Sequence, residues 1–194
     1  MQKTSFMSRA ELVCELIATP QSPVAADASA AYVASRDLPA SPVGDALVTR
    51  KLSVAKEILL RDLTARMKAR SVLGSPDAAR EWLKIRCADM EHEVFLLLHL
   101  DVRNRLIDAE EIFRGTLTHT SVYPREVVKS VLAHNTASLM LAHNHPSGDT
   151  EPSQADRQLT KQLSSALSLV DVRIVDHFVV AGDRILSFAE QGFL

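Results

Sequence analysis

Leu139-Met140-Leu141-Ala142-His143-Asn144-His145-Pro146-Ser147-Gly148-Asp149-Thr150-Glu151-Pro152-Ser153-Gln154-Ala155-Asp156 carries an apolar run into two histidines one residue apart, turns at Pro and Gly, and opens a helical pattern with Ser-x-x-Asp. Side chains two apart on an extended chain share a face, so His143 and His145 point the same way from the end of a strand over about 138–143. Pro146 and Gly148 stop that strand and reverse the chain. From Gln154 onward the apolar residues Leu159, Leu163, Ala166, Leu167 and Val170 recur near the helical period, which places Asp156 in a first helical turn. Two neutral imidazoles and one carboxylate form a three-ligand set with an open position, the pattern of catalytic rather than structural zinc.

The same residues have a second reading. Ser-x-x-Asp before an apolar run is also a capping box, in which Ser153 and Asp156 satisfy the orphan amides of a helix start. His-x-His alone is weak. The full pattern of His-x-His, seven residues, Ser, two residues, Asp arises by chance in roughly one chain in a thousand of this composition.

That pattern is similar to the JAMM signature of the MPN-domain metalloproteins, and His-Asn-His-Pro-Ser-Gly at 143–148 resembles their RadC branch. Glu-Val-Phe-Leu-Leu-Leu-His-Leu-Asp at 93–101, Phe-Arg-Gly-Thr-Leu at 113–117, Ser-Val-Tyr-Pro-Arg-Glu at 121–126 and Asp-His-Phe-Val-Val at 176–180 extend the likeness over about 71–194. The resemblance implies an α/β fold: a mixed central sheet flanked by helices, cytidine-deaminase-like, with a helical, partly disordered N-terminal extension. It implies one zinc ion per chain on His143, His145 and Asp156. It also implies metallopeptidase-like chemistry, because better-studied relatives hydrolyse isopeptide bonds to ubiquitin-like proteins. Matching the family's general base, a glutamate opening an early strand, selects Glu93 from a field that includes Glu91, Glu110 and Glu126. The serine matching Ser153 would stabilise the tetrahedral oxyanion. RadC-type proteins also carry a DNA-repair label, and they commonly have a helix-hairpin-helix module ahead of this domain. Such hairpins need paired glycines, and no Gly precedes Gly44, so that module is expected to be absent.

Composition bounds the alternatives. The 194 residues are 46% hydrophobic and 24% charged, ordinary for a globular domain with an extension. A net charge of −2 gives no chain-wide drive toward nucleic acid. Cys14 and Cys87 lie far apart with no CxxC, so neither a disulfide framework nor a cysteine zinc site is indicated, and a reducing cytoplasm fits. No membrane span or signal peptide is expected. The His-x-Glu and Pro-Cys-x-x-Cys ligands of nucleobase deaminases are missing, as is any glycine-rich phosphate loop.

Elsewhere the chain divides into a weakly ordered extension over 1–48, a basic amphipathic helix over 49–70 and the MPN domain over 71–194. Ser8-Arg9-Ala10-Glu11 is a capping box for a short helix through Ala18, followed by a linker with Pro20, Pro23, Pro39 and Pro42. From Lys51 to Arg70, Leu52, Ala55, Leu59, Leu63 and Met67 make one stripe. Residues 50–70 hold seven Lys or Arg against Glu57 and Asp62, an excess of five. That face is either solvated or binds phosphate. In the second case the protein would be a DNA-repair-associated or mobile-element DNA-binding accessory, acting through Arg61, Arg66, Lys68 and Arg70. Ser75 caps a helix to Arg86, with Pro76 at its first position.

Val94–Leu100 is apolar throughout, as in a strand covered on both faces. A turn at 102–105 leads to a second strand near 106–112. A helix from Pro124 to Leu132 turns Val127, Val128, Val131 and Leu132 inward, and Ser121 and Arg125 either line the pocket or stay on the surface. Residues 172–181 and 185–188 form a hairpin around Gly182-Asp183. Asp176-His177 is either support for a metal ligand or a buried structural pair. The peptide or protein substrate is not legible, and exposed edge strands could pair two copies into a homodimer.

Overall fold

A computed structural model describes residues 4–18, 42–88, 90–114 and 122–194. The chain divides into two compact units, Met1–Asp62 and Leu63–Leu194. In the first, a 3-10 turn, Thr4–Phe6, precedes helix α1, Arg9–Ile17. The anticipated capping box starts α1: the Glu11 amide donates to the Ser8 hydroxyl at 3.2 Å, and the Ser8 amide donates to the Glu11 carboxylate at 2.6 Å. Helix α2 is Pro42–Ala69, an earlier start than the basic stretch alone suggests. Pro20, Pro23, Pro39 and the expected linker over 19–41 lie outside the described residues.

The cations of α2 have specific uses. Lys51 donates to the carbonyls of Leu16 and Ala18 at 2.6 and 2.8 Å, closing the end of α1 where helical carbonyls lack partners. Arg50 pairs with Glu15 at 2.8 Å, and Arg61 pairs with Glu57 at 2.8 Å and also donates to the Met7 carbonyl. In the second unit Arg66 lies 3.8 Å from Glu81. Two of the four cations on which a phosphate-binding face depends therefore have acidic neighbours.

The stripe on α2 holds only at its C-terminal end. Leu63 and Met67 are buried, but Leu52 and Leu59 are 65% and 51% exposed, and Val54 is buried instead. At about 100° per residue Val54 lies roughly opposite Met67, so the helix buries different faces along its length. A single stripe presumes one partner throughout.

The second unit is built on a five-stranded mixed sheet with spatial order β2-β1-β3-β4-β5. Helix α3, Asp77–Cys87, starts one position later than Ser75 capping would give. Pro76 takes the cap position with near-helical dihedrals, and no side chain caps the helix. Strands β1, Val94–Leu100, and β2, Leu106–Arg114, form the expected hairpin, turned by the Asp101 carboxylate accepting from the Arg103 and Arg105 amides. Helix α4 is Pro124–Ala133, β3 is Ser138–Asn144, α5 is Gln154–Ser168, β4 is Arg173–Ala181 and β5 is Arg184–Ser187. β1 runs antiparallel to β3, β3 parallel to β4, and β4 antiparallel to β5.

One core forms where Val127 and Val131 of α4 and Leu163 and Leu167 of α5 meet Phe95, Leu97, Leu139 and Leu141 of the sheet. Leu96, Leu98 and Met140 point the other way and are equally buried, so the central strands are covered on both faces. α3 packs on β4 and β5, with Arg80 over the Phe178 ring. Leu132 does not turn inward. It is 59% exposed, because the inward side of α4 centres on Val127 and Val131 and Leu132 lies a further ~100° round. Among the described residues no helix is long and apolar enough to cross a membrane.

Candidate metal centre

β3, α5 and β4 make a parallel crossover, and the corner between β3 and α5 lies at the carboxyl end of the strand, where open α/β sheets place their ligands. His143 sits between Phe95 of β1 and Val179 of β4. The strand stays extended one residue further, since the His145 amide donates to the Val180 carbonyl at 2.8 Å. The chain then turns through Gly148, whose φ of +83° disfavours any side chain. The Gly148 carbonyl accepts from Arg184 of β5. Ser153 caps α5 in an extended conformation.

These constraints bring three side chains together. His143 Nε2 lies 3.0 Å from His145 Nε2 and 3.4 Å from Asp156 Oδ1, and His145 Nε2 is 3.8 Å from Asp156 Oδ2. The two rings are inclined at 65°. The capping box and the candidate ligand trio share Asp156. Asp156 Oδ2 accepts from the Ser153 amide at 2.8 Å and the Ser153 hydroxyl at 2.6 Å, while Oδ1 faces His143. The oxygen that holds the helix cap, Oδ2, also lies 3.8 Å from His145 Nε2.

Hydrogen bonds decide where the protons sit. His145 Nδ1 meets the Asp149 carbonyl at 2.7 Å, and a carbonyl only accepts, so this nitrogen donates. His143 Nδ1 meets His177 Nε2 at 2.9 Å. Burial is the main cause that pushes His143 down to about 4 and His177 well below the usual histidine range, so both are neutral near pH 7. Two imidazole nitrogens and a carboxylate thus converge at one corner of the site. A positive charge is what the trio lacks, and two nitrogens with one oxygen suit a divalent ion of zinc's preferences.

The pocket around them, about 380 Å³, is lined by Glu93, Ser147 and Ser153 together with the apolar Val94, Phe95, Val122 and Leu159. Pairing of β1 with β3 is what brings Glu93 here, the adjacency that sequence could not supply. The other glutamates are elsewhere: Glu110 contacts His99, Glu126 pairs with Lys129, and Glu91 is exposed before β1. Arg125 is 80% exposed, paired with Glu126 and set over the Tyr123 ring, so it stays on the surface. Ser121 and the segment Gly115–Leu117 lie outside the described residues.

Three other residues matter to the site. The Asn144 side chain donates to the His92 carbonyl at 3.1 Å and accepts from the Val94 amide at 2.8 Å, clamping the backbone on both sides of Glu93. Thr160 of α5 donates to the Asp156 carbonyl and contacts His177 Nδ1. Of the Asp176-His177 pair, it is His177 that contacts His143. Asp176 accepts from the His177 and Ala189 amides and from Ser187, pinning the turn after β5.

Comparison with known proteins agrees with this geometry. The profile of the RadC-like JAB domain family matches residues 73–193. A UPF0758 protein of Thiobacillus denitrificans is 55% identical over 143 residues, and one of Dechloromonas aromatica is 54% identical over 145 residues. Each match covers 74% of this chain and 64% of the relative, so the chain spans just under two thirds of those proteins' length. From the matched domain, the sheet order and the site's residues together, the chain belongs to the RadC-like JAB domain family.

Proposed function

We propose that this protein is a zinc-dependent hydrolase of the JAMM type, holding one Zn²⁺ on His143, His145 and Asp156 and cleaving a peptide or isopeptide bond. The observation that carries the reading is the convergence of His143 Nε2, His145 Nε2 and an Asp156 oxygen in the pocket that Glu93 lines. Zinc there supplies Lewis acidity, polarising a carbonyl and making water acidic enough to lose a proton near neutral pH.

The chain's own groups supply the rest. Glu93 takes a proton from the attacking water on a carboxylate oxygen and returns it to the leaving nitrogen, breaking the amide C–N bond. Its backbone is held by Asn144, which limits how far the carboxylate can stray from the pocket. The Ser153 hydroxyl is the donor for the developing oxyanion. In the resting protein its proton rests on Asp156 Oδ2, so it must turn from that carboxylate as the carbonyl oxygen gains charge. Val94, Phe95, Val122 and Leu159 keep one side of the pocket dry.

Elemental analysis of untagged protein prepared without added metal tests the first half of this reading. About one zinc per chain is expected in the wild type and none in His143→Ala or Asp156→Ala. Wild type that takes up no zinc even on reconstitution overturns it. For the second half, Glu93→Gln should keep its zinc and lose turnover on whichever peptide or isopeptide substrate the wild type cleaves. Unchanged turnover removes Glu93 from the role.

A further inference from the structure

Resting on the metal reading above, a second layer of the site can be read from Thr160. The Thr160 hydroxyl lies 2.7 Å from the Asp156 carbonyl and 2.8 Å from His177 Nδ1. A carbonyl cannot donate, so the single hydroxyl proton goes to Asp156, and His177 Nδ1 must carry the proton of the second contact. His177 then presents a bare Nε2 to His143 Nδ1 at 2.9 Å, which fixes the His143 proton on Nδ1 and leaves its Nε2 open toward His145 and Asp156. All three side chains are buried, so water does not compete for these positions. Thr160 stands one helical turn after Asp156, and the chain of contacts closes on the ligand residue where it began.

We propose that Thr160 and His177 are positioning residues that set the tautomer of His143, so that one hydroxyl on α5 decides whether the site presents a lone pair or a proton to a metal. Removing the hydroxyl takes away the only acceptor seen for His177 Nδ1–H. His177 then moves its proton to Nε2, His143 moves its own to Nε2 in response, and the ligand nitrogen is blocked. Ligand-supporting groups of this kind are typically worth about ten- to a hundredfold in metal affinity.

The test compares Thr160→Val, which keeps the shape, with Thr160→Ser, which keeps the hydroxyl. Zinc affinity is read by competition with a chromophoric chelator, and ring protonation by ¹⁵N chemical shifts of the metal-free protein. The expected result is Thr160→Val weakened about ten- to a hundredfold, near-wild-type affinity in Thr160→Ser, and the His143 proton moved from Nδ1 to Nε2 in the valine variant only. A folded Thr160→Val with wild-type zinc affinity overturns the proposal. If the valine variant does not fold, the wild-type spectrum decides alone: an Nε2–H tautomer at His143 in the metal-free protein overturns it. That spectrum needs no metal, so it separates failure of this relay from failure of the zinc site.

Discussion

Among the described residues the domain holds two clusters of two histidines and a carboxylate that could hold a metal ion, and they are arranged differently. The second, among the described residues, is His99 of β1, Glu110 of β2 and His134 at the end of α4. Protons can close nearly all of its contacts. His99 Nε2–H donates to Glu110 at 3.1 Å, the Thr136 hydroxyl donates to His99 Nδ1 at 2.7 Å, and His134 Nδ1–H donates to the Ser130 carbonyl at 2.9 Å. Ser130 also donates to Glu110, and His134 Nε2 lies 3.5 Å from Asp108. The His99 and His134 rings are stacked 4.1 Å apart and only 13° from parallel. Lone pairs lie in the ring plane, so rings stacked nearly parallel keep theirs in separate, nearly parallel planes. The rings of His143 and His145, at 65°, can aim at one point. Donor type and proximity are common to both clusters. Ring angle separates them.

The sharpest challenge to that contrast is zinc stoichiometry. His143→Ala should remove the ion completely, while His134→Ala leaves one zinc per chain. Loss of zinc from His134→Ala, or a second zinc in the wild type, would make the clusters equivalent.

The next largest effect separates holding the metal from using it. Ser153→Ala should slow hydrolysis of a cleaved substrate about a hundred- to a thousandfold, with zinc retained. It should also cost about 1 kcal/mol of stability, because the same hydroxyl caps α5. A stability loss with no change in turnover would leave Ser153 as a cap alone.

Acid distinguishes the buried histidines from ordinary ones. His143 is pushed down to about 4, mainly by burial, from 6.5. The unfolded chain therefore takes up that proton first as pH falls. The metal-free protein should hold its stability above about pH 6.5 and lose it progressively toward pH 4. Burial lowers His99 and His177 as well, which adds to the same trend. Denaturant midpoints that do not change across this window would refute it.

The smallest effect belongs to the second cluster. His99→Phe leaves the Thr136 hydroxyl without its ring partner and should cost about 1–3 kcal/mol in chemical denaturation, with zinc content unchanged. A drop in zinc content would tie this cluster to the metal.

Much of the fold was legible because periodicity and turn chemistry are local. The continuous apolar run of β1, the Gly182-Asp183 turn and the capping boxes at Ser8 and Ser153 all recur in the structure within a residue or so. What misled was any inference that needed to know the partner. Leu52, Leu59 and Leu132 sit at apolar positions of a correct period, yet neighbouring elements reach a different face. At the site, Asn144 and Thr160 passed unnoticed, although each left a signal. An Asn between two same-facing histidines must point to the other side of its strand, and a Thr four residues after a ligand shares its helical face.

By itself the sequence determined the chemistry of the corner: two imidazoles on one face of a strand end, and a carboxylate in the first turn of the next helix. Spacings of two and three residues are set by backbone geometry, whatever the rest of the chain does. Tertiary structure alone decided that β1 lies beside β3, which carries Glu93 to the pocket from a stretch 50 residues away, as the Val94–Asn144 contact shows. It also decided which imidazole nitrogen holds a proton. Strand pairing and tautomer choice both depend on groups distant in the chain, brought to hydrogen-bonding range only when the core between the sheet and its helices has formed.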